Sequence, residues 1–209
     1  MRFPICTLIG ILQSMTSLTE TQAPIRRGGR GARTRILNAA AELFYLEGIN
    51  ATGVGRIASK AAVSKRTLYQ HFPSKTALVE EYLRQLRQAA GAAQAASATS
   101  PREQLLALFD IADGSDVRMR GCPFHNAAVE AAAVMPGVEH IVHLHKRNYV
   151  DGLTELAREA GASDPETLGN QIALLYEGAS AMSTSLNDPA PWAQARAIVE
   201  ALIDQGGGV

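Results

Sequence analysis

The 209 residues are 46% hydrophobic, 5% aromatic and 19% charged, with a formal net charge of zero. That is apolar content for a sizeable core in one domain or two small ones. The abundance of alanine, with few aromatic or β-branched runs, points away from a sheet-based fold and toward packed helices.

The zero charge conceals a division. Residues 1–92 hold thirteen Lys and Arg against five Asp and Glu, and residues 93–209 hold seven against fifteen. Such asymmetry is expected of a nucleic-acid-binding half joined to a half with another task. The two cysteines, Cys6 and Cys122, have neither a metal spacing nor a disulfide framework, which implies a reducing compartment.

Residues 1–14 carry one arginine and a short apolar run with no small-residue cleavage site after it. The run is too short to span a bilayer, and the reading is that translation begins at Met15 instead of Met1. Residues 16–35 turn polar and then basic, with Arg26, Arg27, Arg30, Arg33 and Arg35 among Gly28, Gly29 and Gly31. This composition predicts a disordered arm over residues 1–33, able to lie along phosphates or enter a minor groove through Arg30 and Arg33.

Ile36, Leu37, Ala40, Leu43 and Phe44 mark an amphipathic helix that Gly48 stops. Thr52 is placed to cap the next. Val54, Ile57, Ala58 and Ala61 then repeat at helical spacing, and the pattern stops and restarts at Val63-Ser64, which predicts two short helices with a turn between them. Ser64 fits as N-cap of the second, with Val63 and Leu68 spaced as a hydrophobic staple. The other positions of that helix, Lys65, Arg66, Thr67, Tyr69, Gln70 and His71, are almost all donors or cations. A helix-turn-helix presents such a helix to the DNA major groove.

The run Ile57-Ala58, Ala62-Val63-Ser64, Thr67-Leu68-Tyr69, His71-Phe72, Ser74-Lys75 and Leu78 closely resembles the DNA-binding signature of the tetracycline-repressor (TetR) family of one-component regulators. Two positions depart from it. Ala62 stands where a turn glycine is common, which is compatible if its φ is negative, and Arg66 stands where a small residue is common and adds a donor.

The resemblance implies an all-α fold. A three-helix helix-turn-helix DNA-binding domain would span 34–79, a connecting helix and linker 80–100, and a helical ligand-binding and dimerisation domain 101–209. It also implies that Tyr69, His71 and Lys75 bind phosphates and that Lys65 and Arg66 reach base edges, with Thr52, Ser64, Thr67 and Gln70 completing the DNA-binding set. Tyr69 is open to two further readings, a base contact or a half-buried core aromatic. Lys75 sits in the first turn of a helix, where the macrodipole disfavours a cation, and a phosphate would account for it.

Pro73-Ser74 separates two helices, the second carrying a stripe of Leu78, Tyr82, Leu83 and Leu86 through about Ala90. The Ala/Ser-rich stretch 91–100 is the expected boundary. Ser100-Pro101-Arg102-Glu103 has the form of a capping box with proline at the first helical position, opening a helix through Leu105, Leu106, Leu108 and Phe109. A loop is expected over 113–121, a short helix from Pro123 to about Val134 that Pro136 ends, and a long helix from near Gly137 to Ala160.

Ser163-Asp164-Pro165-Glu166 opens another helix, and Pro189 and Pro191 open the last, with Trp192, Ala195, Ile198 and Leu202 expected inward. In the resembled family the last two helices pair with their symmetry mates. That implies a dimer interface of Leu168, Ile172, Leu175, Ala179, Met182, Trp192, Ile198 and Leu202, with Ala179, Ser180 and Ala181 small enough for close approach.

His140, His143 and His145 do not form a metal site by spacing, since the third points away from the first two and no cysteine completes the set. No metal or cofactor is expected. Cys122, immediately before a helix opened by Pro123 and two residues after Arg120, reads either as a thiolate sensor or as a small buried cysteine.

The expected pocket residues are Phe109, Cys122, Phe124, His125, Asn126, His145, Tyr149 and Tyr176, suited to an apolar or aromatic small molecule with a few polar groups. The resulting expectation is a cytoplasmic, nucleoid-associated homodimer that is not an enzyme and has no membrane association. It would act as a repressor released from a palindromic double-stranded DNA operator by a small-molecule effector. The alternatives are a redox-responsive regulator acting through Cys122 and a thiol-dependent enzyme.

Overall fold

The computed structural model describes residues 31–95, 100–110 and 120–206. The short apolar start, Arg30 with most of the basic arm, and most of the expected 113–121 loop lie outside the described residues. Among the described residues the secondary structure is helical with no β-strand, in agreement with the all-α expectation.

In chain order the helices are α1 (Ala32–Glu47), α2 (Val54–Lys60), α3 (Lys65–His71), α4 (Lys75–Ala95), α5 (Pro101–Ala107), α6 (Pro123–Glu130), α7 (Pro136–Glu159), α8 (Pro165–Leu186) and α9 (Ala190–Gly206). They pack as two compact units. One holds the described residues up to Ala89 together with Pro123–Val142, and the other holds Ala90–Cys122 and the chain from His143 onward.

In the first unit the expected helical stripes form the core. Ile36, Leu37, Ala40, Leu43 and Phe44 of α1 are buried, as are Ile57 and Ala58 of α2, Leu68 of α3, and Leu78, Tyr82, Leu83 and Leu86 of α4. Burying each large apolar side chain contributes roughly 1.5–3 kcal/mol. The Phe44 and Tyr82 rings meet with centroids 5.7 Å apart. α1 ends as expected at Gly48, whose φ of 97° is open to glycine and whose N–H donates to the Phe44 carbonyl at 3.1 Å.

Four local expectations are corrected here. Thr52 does not cap α2: Gly53 is the N-cap, with no side-chain cap bond, and the buried Thr52 hydroxyl donates to the carbonyls of Gly48 at 2.7 Å and Leu43 at 3.2 Å. Ala62 has φ 51°, so the turn keeps a left-handed residue where the sequence supplies a side chain. α4 continues to Ala95, through part of the expected linker, because its alanines favour the helix. α6 stops at Glu130, and a turn follows in which the Ala131 carbonyl accepts from the N–H groups of Val134 and Met135.

In the second unit α8 packs along α9, and α5 packs against α9. Arg102 of α5 bridges to Asp204 of α9 at 2.8 Å. Ser100 and Glu103 form the expected capping box, and Asp164 caps α8 by accepting from the Thr167 N–H at 3.1 Å. Gly169 lets α8 approach α7 closely, since a Cβ there would lie 2.8 Å from the Thr154 nitrogen.

The last two helices divide their faces differently from the expectation. Leu168, Ile172 and Ala179 of α8 and Trp192 of α9 are buried within the protomer, so they belong to its own core. Ile198, expected inward, is exposed, and Val199 and Ile203 take the inner positions. Leu175 and Leu202 are half-buried. The helix period puts Leu174, Met182 and Leu186 of α8 outward, exposed by 73%, 53% and 61%. Ala179 and Ser180 face inward, and of the three expected small contact residues Ala181 is exposed.

Candidate nucleic-acid interface and aromatic cluster

α3 is a seven-residue helix held by little more than its ends and one side chain. The Ser64 hydroxyl accepts from the Thr67 N–H at 3.0 Å, which satisfies one orphan donor of the first turn. Leu68 is fully buried. The turn before the helix closes through a bond from the Val63 N–H to the Ala58 carbonyl at 3.0 Å.

With Leu68 anchored inward, the remaining positions are left to solvent. Lys65, Arg66, Tyr69, Gln70 and His71 are exposed, and Thr67 is half-buried. The Lys65 stem lies against Gly55, where an added Cβ would come 3.0 Å from Lys65 Cε.

The cations around α3 are treated unequally. Arg56 pairs with Glu47 at 2.6 Å, Lys60 with Glu42 at 2.7 Å, and Arg33 with Glu81 at 2.6 Å. Arg33, expected in the arm, instead lies in α1 with its guanidinium over the Phe72 ring. Among the described residues Lys65 and Arg66 form no ion pair. Unpaired, exposed cations on a short helix suit a polyanion. Thr52 is not part of this face, because its hydroxyl is spent on the Gly48 and Leu43 carbonyls.

Lys75 lies at the start of α4, which Ser74 caps by accepting from the Ala77 N–H at 3.0 Å. The Lys75 ammonium donates to the Asn50 carbonyl at 3.4 Å. Partial burial lowers its proton affinity, and the Glu130 carboxylate works in the opposite direction.

The second unit holds five of the expected pocket residues, four of which meet Trp192, a residue expected elsewhere, in one cluster. Phe109, Tyr149, Tyr176 and Trp192 form a continuous aromatic cluster, with the Tyr149–Tyr176 and Tyr176–Trp192 centroids 5.3 Å and 5.4 Å apart and Phe109 touching Tyr176 and Trp192. His145 stacks on Tyr149. Among the described residues the buried Tyr149 hydroxyl and Trp192 Nε1 have no hydrogen-bond partner. Burial, and then the charges of Glu177 and Cys122, push the Tyr149 phenol well above its ordinary value.

Cys122 is buried and in no disulfide among the described residues, and its backbone N–H donates to Ser180 Oγ at 3.1 Å. Lys146 Nζ lies 3.8 Å from its sulfur and forms an ion pair with Glu177. Phe124, His125 and Asn126 lie on α6 in the other unit, where Phe124 is fully buried and His125 exposed.

Sequence reading missed Lys146, Glu177 and the place of Trp192 in the aromatic cluster. The spacing of Lys146 and Tyr149, three apart on α7, was the available signal for the first. Among the described residues no group of three or more His, Cys, Asp and Glu could hold a metal ion, and no helix is long and apolar enough to cross a membrane.

Comparison with known proteins agrees with this geometry. The family model described as bacterial regulatory proteins, tetR family, matches residues 36–82. The transcriptional repressor KstR2 of Rhodococcus jostii (strain RHA1) is 42% identical over 67 residues, 32% of this chain and 33% of its own length. This chain thus matches about a third of the length of that curated relative.

Two solved structures are similar over nearly their whole length. SCO4454, a TetR-family transcriptional regulator from Streptomyces coelicolor, superposes with a TM-score of 0.73 at 30% identity, covering 85% of this chain and 96% of its own. A TetR-type transcriptional regulator of Streptomyces avermitilis gives 0.71 at 31% identity, covering 84% and 97%.

Proposed function

The chain belongs to the TetR family of bacterial regulatory proteins, and on that premise we propose that it is a homodimeric, DNA-binding transcriptional repressor released from its operator by a small molecule. The observation that carries the reading is α3: one buried leucine and a capped N-terminus hold it, and its exposed side chains are donors and unpaired cations. In this reading Lys65 and Arg66 contact base edges. Tyr69, Gln70, His71 and Lys75 contact the backbone, and Arg30 of the arm adds phosphate contacts.

The outer faces of α8 and α9 support dimerisation. From Asn170 to Leu186 the exposed residues of α8 carry no charge, nor do those of α9 from Ala193 to Ala201, whereas exposed Glu166 and Asp204 lie beyond these stretches. Depletion of charge with exposed apolar side chains is the compositional sign of an interface core. Two heads related by a two-fold axis then select a palindromic operator with half-sites one helical turn, about 34–36 Å, or a multiple apart. The protein would act where the chromosome is, in the cytoplasm.

The Phe109, Tyr149, Tyr176 and Trp192 cluster supports an aromatic effector with hydrogen-bonding groups for the two unpartnered atoms. The effector releases DNA only by binding the non-DNA conformation more tightly. A second reading, a thiol sensor at Cys122, is favoured by the Lys146 ammonium 3.8 Å from the sulfur, since a nearby cation supports the reactive thiolate. A thiol enzyme would need a base there, and Lys146 is instead held as the ion-pair partner of Glu177.

Selection of bound duplexes from a random pool tests the proposal: enrichment of a two-fold symmetric sequence supports it, and absence of any enrichment sinks it. Mild peroxide on wild type and Cys122→Ser decides the second reading, which fails if the two proteins respond alike.

A further inference from the structure

Two charges in the first unit stand where their own helices disfavour them, and they converge on one turn. Lys75 lies in the first turn of α4, at the positive end of the macrodipole, and Glu130 is the last residue of α6, at the negative end. Between them lies Asn50, in the turn joining α1 to α2, and three of its polar groups are engaged. Its N–H donates to Glu130 Oε2 at 3.1 Å, its Nδ2 donates to the Glu130 carbonyl at 2.7 Å, and its carbonyl accepts from Lys75 Nζ at 3.4 Å.

The same carboxylate fills the space beside Gly48, where an added Cβ would lie 2.9 Å from Glu130 Oε2. Neither charge is explained by helix stability, and each helps to hold the other through the turn.

We propose that Glu130 is a positioning residue for DNA binding, fixing the turn through Gly48 and Asn50 and holding the Lys75 ammonium ready for a phosphate. This rests on the reading of Lys75 as a phosphate contact and adds a residue that touches no DNA. Burial works against the Lys75 charge, and the Glu130 carboxylate offsets it. When a phosphate arrives, it takes over the role of counter-charge while the Asn50 carbonyl still orients the amine. Because Glu130 ends the eight-residue helix that begins with Pro123, a displacement of α6 changes the hold on Lys75.

The test uses the full-length protein and a mixed-sequence duplex, whose binding is carried by phosphate contacts. Glu130→Ala should weaken binding several-fold and reduce the slope of log K against log salt, by up to the roughly 0.9 that one neutralised phosphate represents. In a Lys75→Ala background the same change should cost nothing further, because Glu130 acts through Lys75. Glu130→Gln keeps an acceptor for the Asn50 N–H, so it should retain the thermal midpoint. NMR of the methylated Lys75 amine, read without DNA, should show a lower titration midpoint in both variants than in wild type.

Additive losses in the double variant, wild-type affinity in Glu130→Ala, or an unmoved Lys75 titration would each overturn the proposal. If wild type binds and Lys75→Ala binds equally well, the proposal fails while the DNA-binding reading stands. If wild type binds no duplex, both fall.

Discussion

Leu68 and Tyr69 are consecutive residues of α3 with opposite surroundings: Leu68 is fully buried, and Tyr69 is 47% exposed. A seven-residue helix with a single buried side chain cannot bury its aromatic as well, so Tyr69 is left facing outward with the cations. Leu68→Ala should therefore destabilise the protein by about 2–5 kcal/mol. Tyr69→Phe should leave stability within about 0.5 kcal/mol of wild type, as surface changes usually do, yet weaken DNA binding. Urea unfolding and duplex titration on both variants check the contrast, and equal stability losses would place Tyr69 in the core.

Ala62 adopts φ 51°, a conformation that costs an alanine more than a glycine. Ala62→Gly should raise stability by about 0.5–1 kcal/mol, strain relief outweighing the added freedom of the unfolded chain. A lower midpoint in urea for the glycine variant would show that the turn carries no such strain.

The helices and their inner faces were legible in the sequence because a 3.6-residue apolar period survives in the folded chain: each of Ile36, Leu37, Ala40, Leu43 and Phe44 is buried. The caps were legible where a hydroxyl or carboxylate precedes a periodic run, as at Ser64, Ser100 and Asp164. Thr52 misled because the same hydroxyl can bond back to the Gly48 carbonyl, and nothing local decides between the two. The outer face of α9 was misjudged because Trp192 and Ile198 are both apolar, and only packing on α8 and α5 shows which faces inward. The meeting of Glu130 with Asn50 joins residues 80 apart, beyond the reach of any periodic pattern.

Leu174 and Ile198 are exposed in the protomer, so a charge there should leave the fold intact and prevent dimerisation. In the proposed dimer, Leu174→Arg and Ile198→Glu would place an unpaired charge in a desolvated interface, at a cost on the order of several kcal/mol per ion. Sedimentation should show folded monomers with weak operator affinity. Trp192→Ala, by contrast, should lose about 3–5 kcal/mol of protomer stability. A wild-type monomer that binds operator tightly would contradict the dimer reading.

The Tyr149 hydroxyl is buried and has no partner among the described residues, and its phenol is held neutral well above the ordinary range, chiefly by burial. Above pH of about 10 the unfolded chain releases this proton while the folded protein keeps it. The unfolded state then binds fewer protons, and stability falls as pH rises. Tyr149→Phe should remove that part of the alkaline slope and be neutral or stabilising near pH of about 7, since a buried unsatisfied hydroxyl costs about 1–3 kcal/mol. Urea unfolding at a series of alkaline pH values measures it. An unchanged slope would show that the hydroxyl reaches a partner or solvent.

In the proposed complex α3 reads sequence while Lys75 holds backbone, and the most direct measurement is a set of titrations of Arg66→Ala and Lys75→Ala on a selected palindromic duplex and its scrambled counterpart across a salt series. Arg66→Ala should cost about 1–3 kcal/mol on the palindrome and relax preference at one symmetric pair of positions. Lys75→Ala should weaken both duplexes by similar factors and lower the salt slope by about one for each phosphate no longer neutralised. Identical shifts of both duplexes by both variants would contradict the assignment of base and phosphate roles.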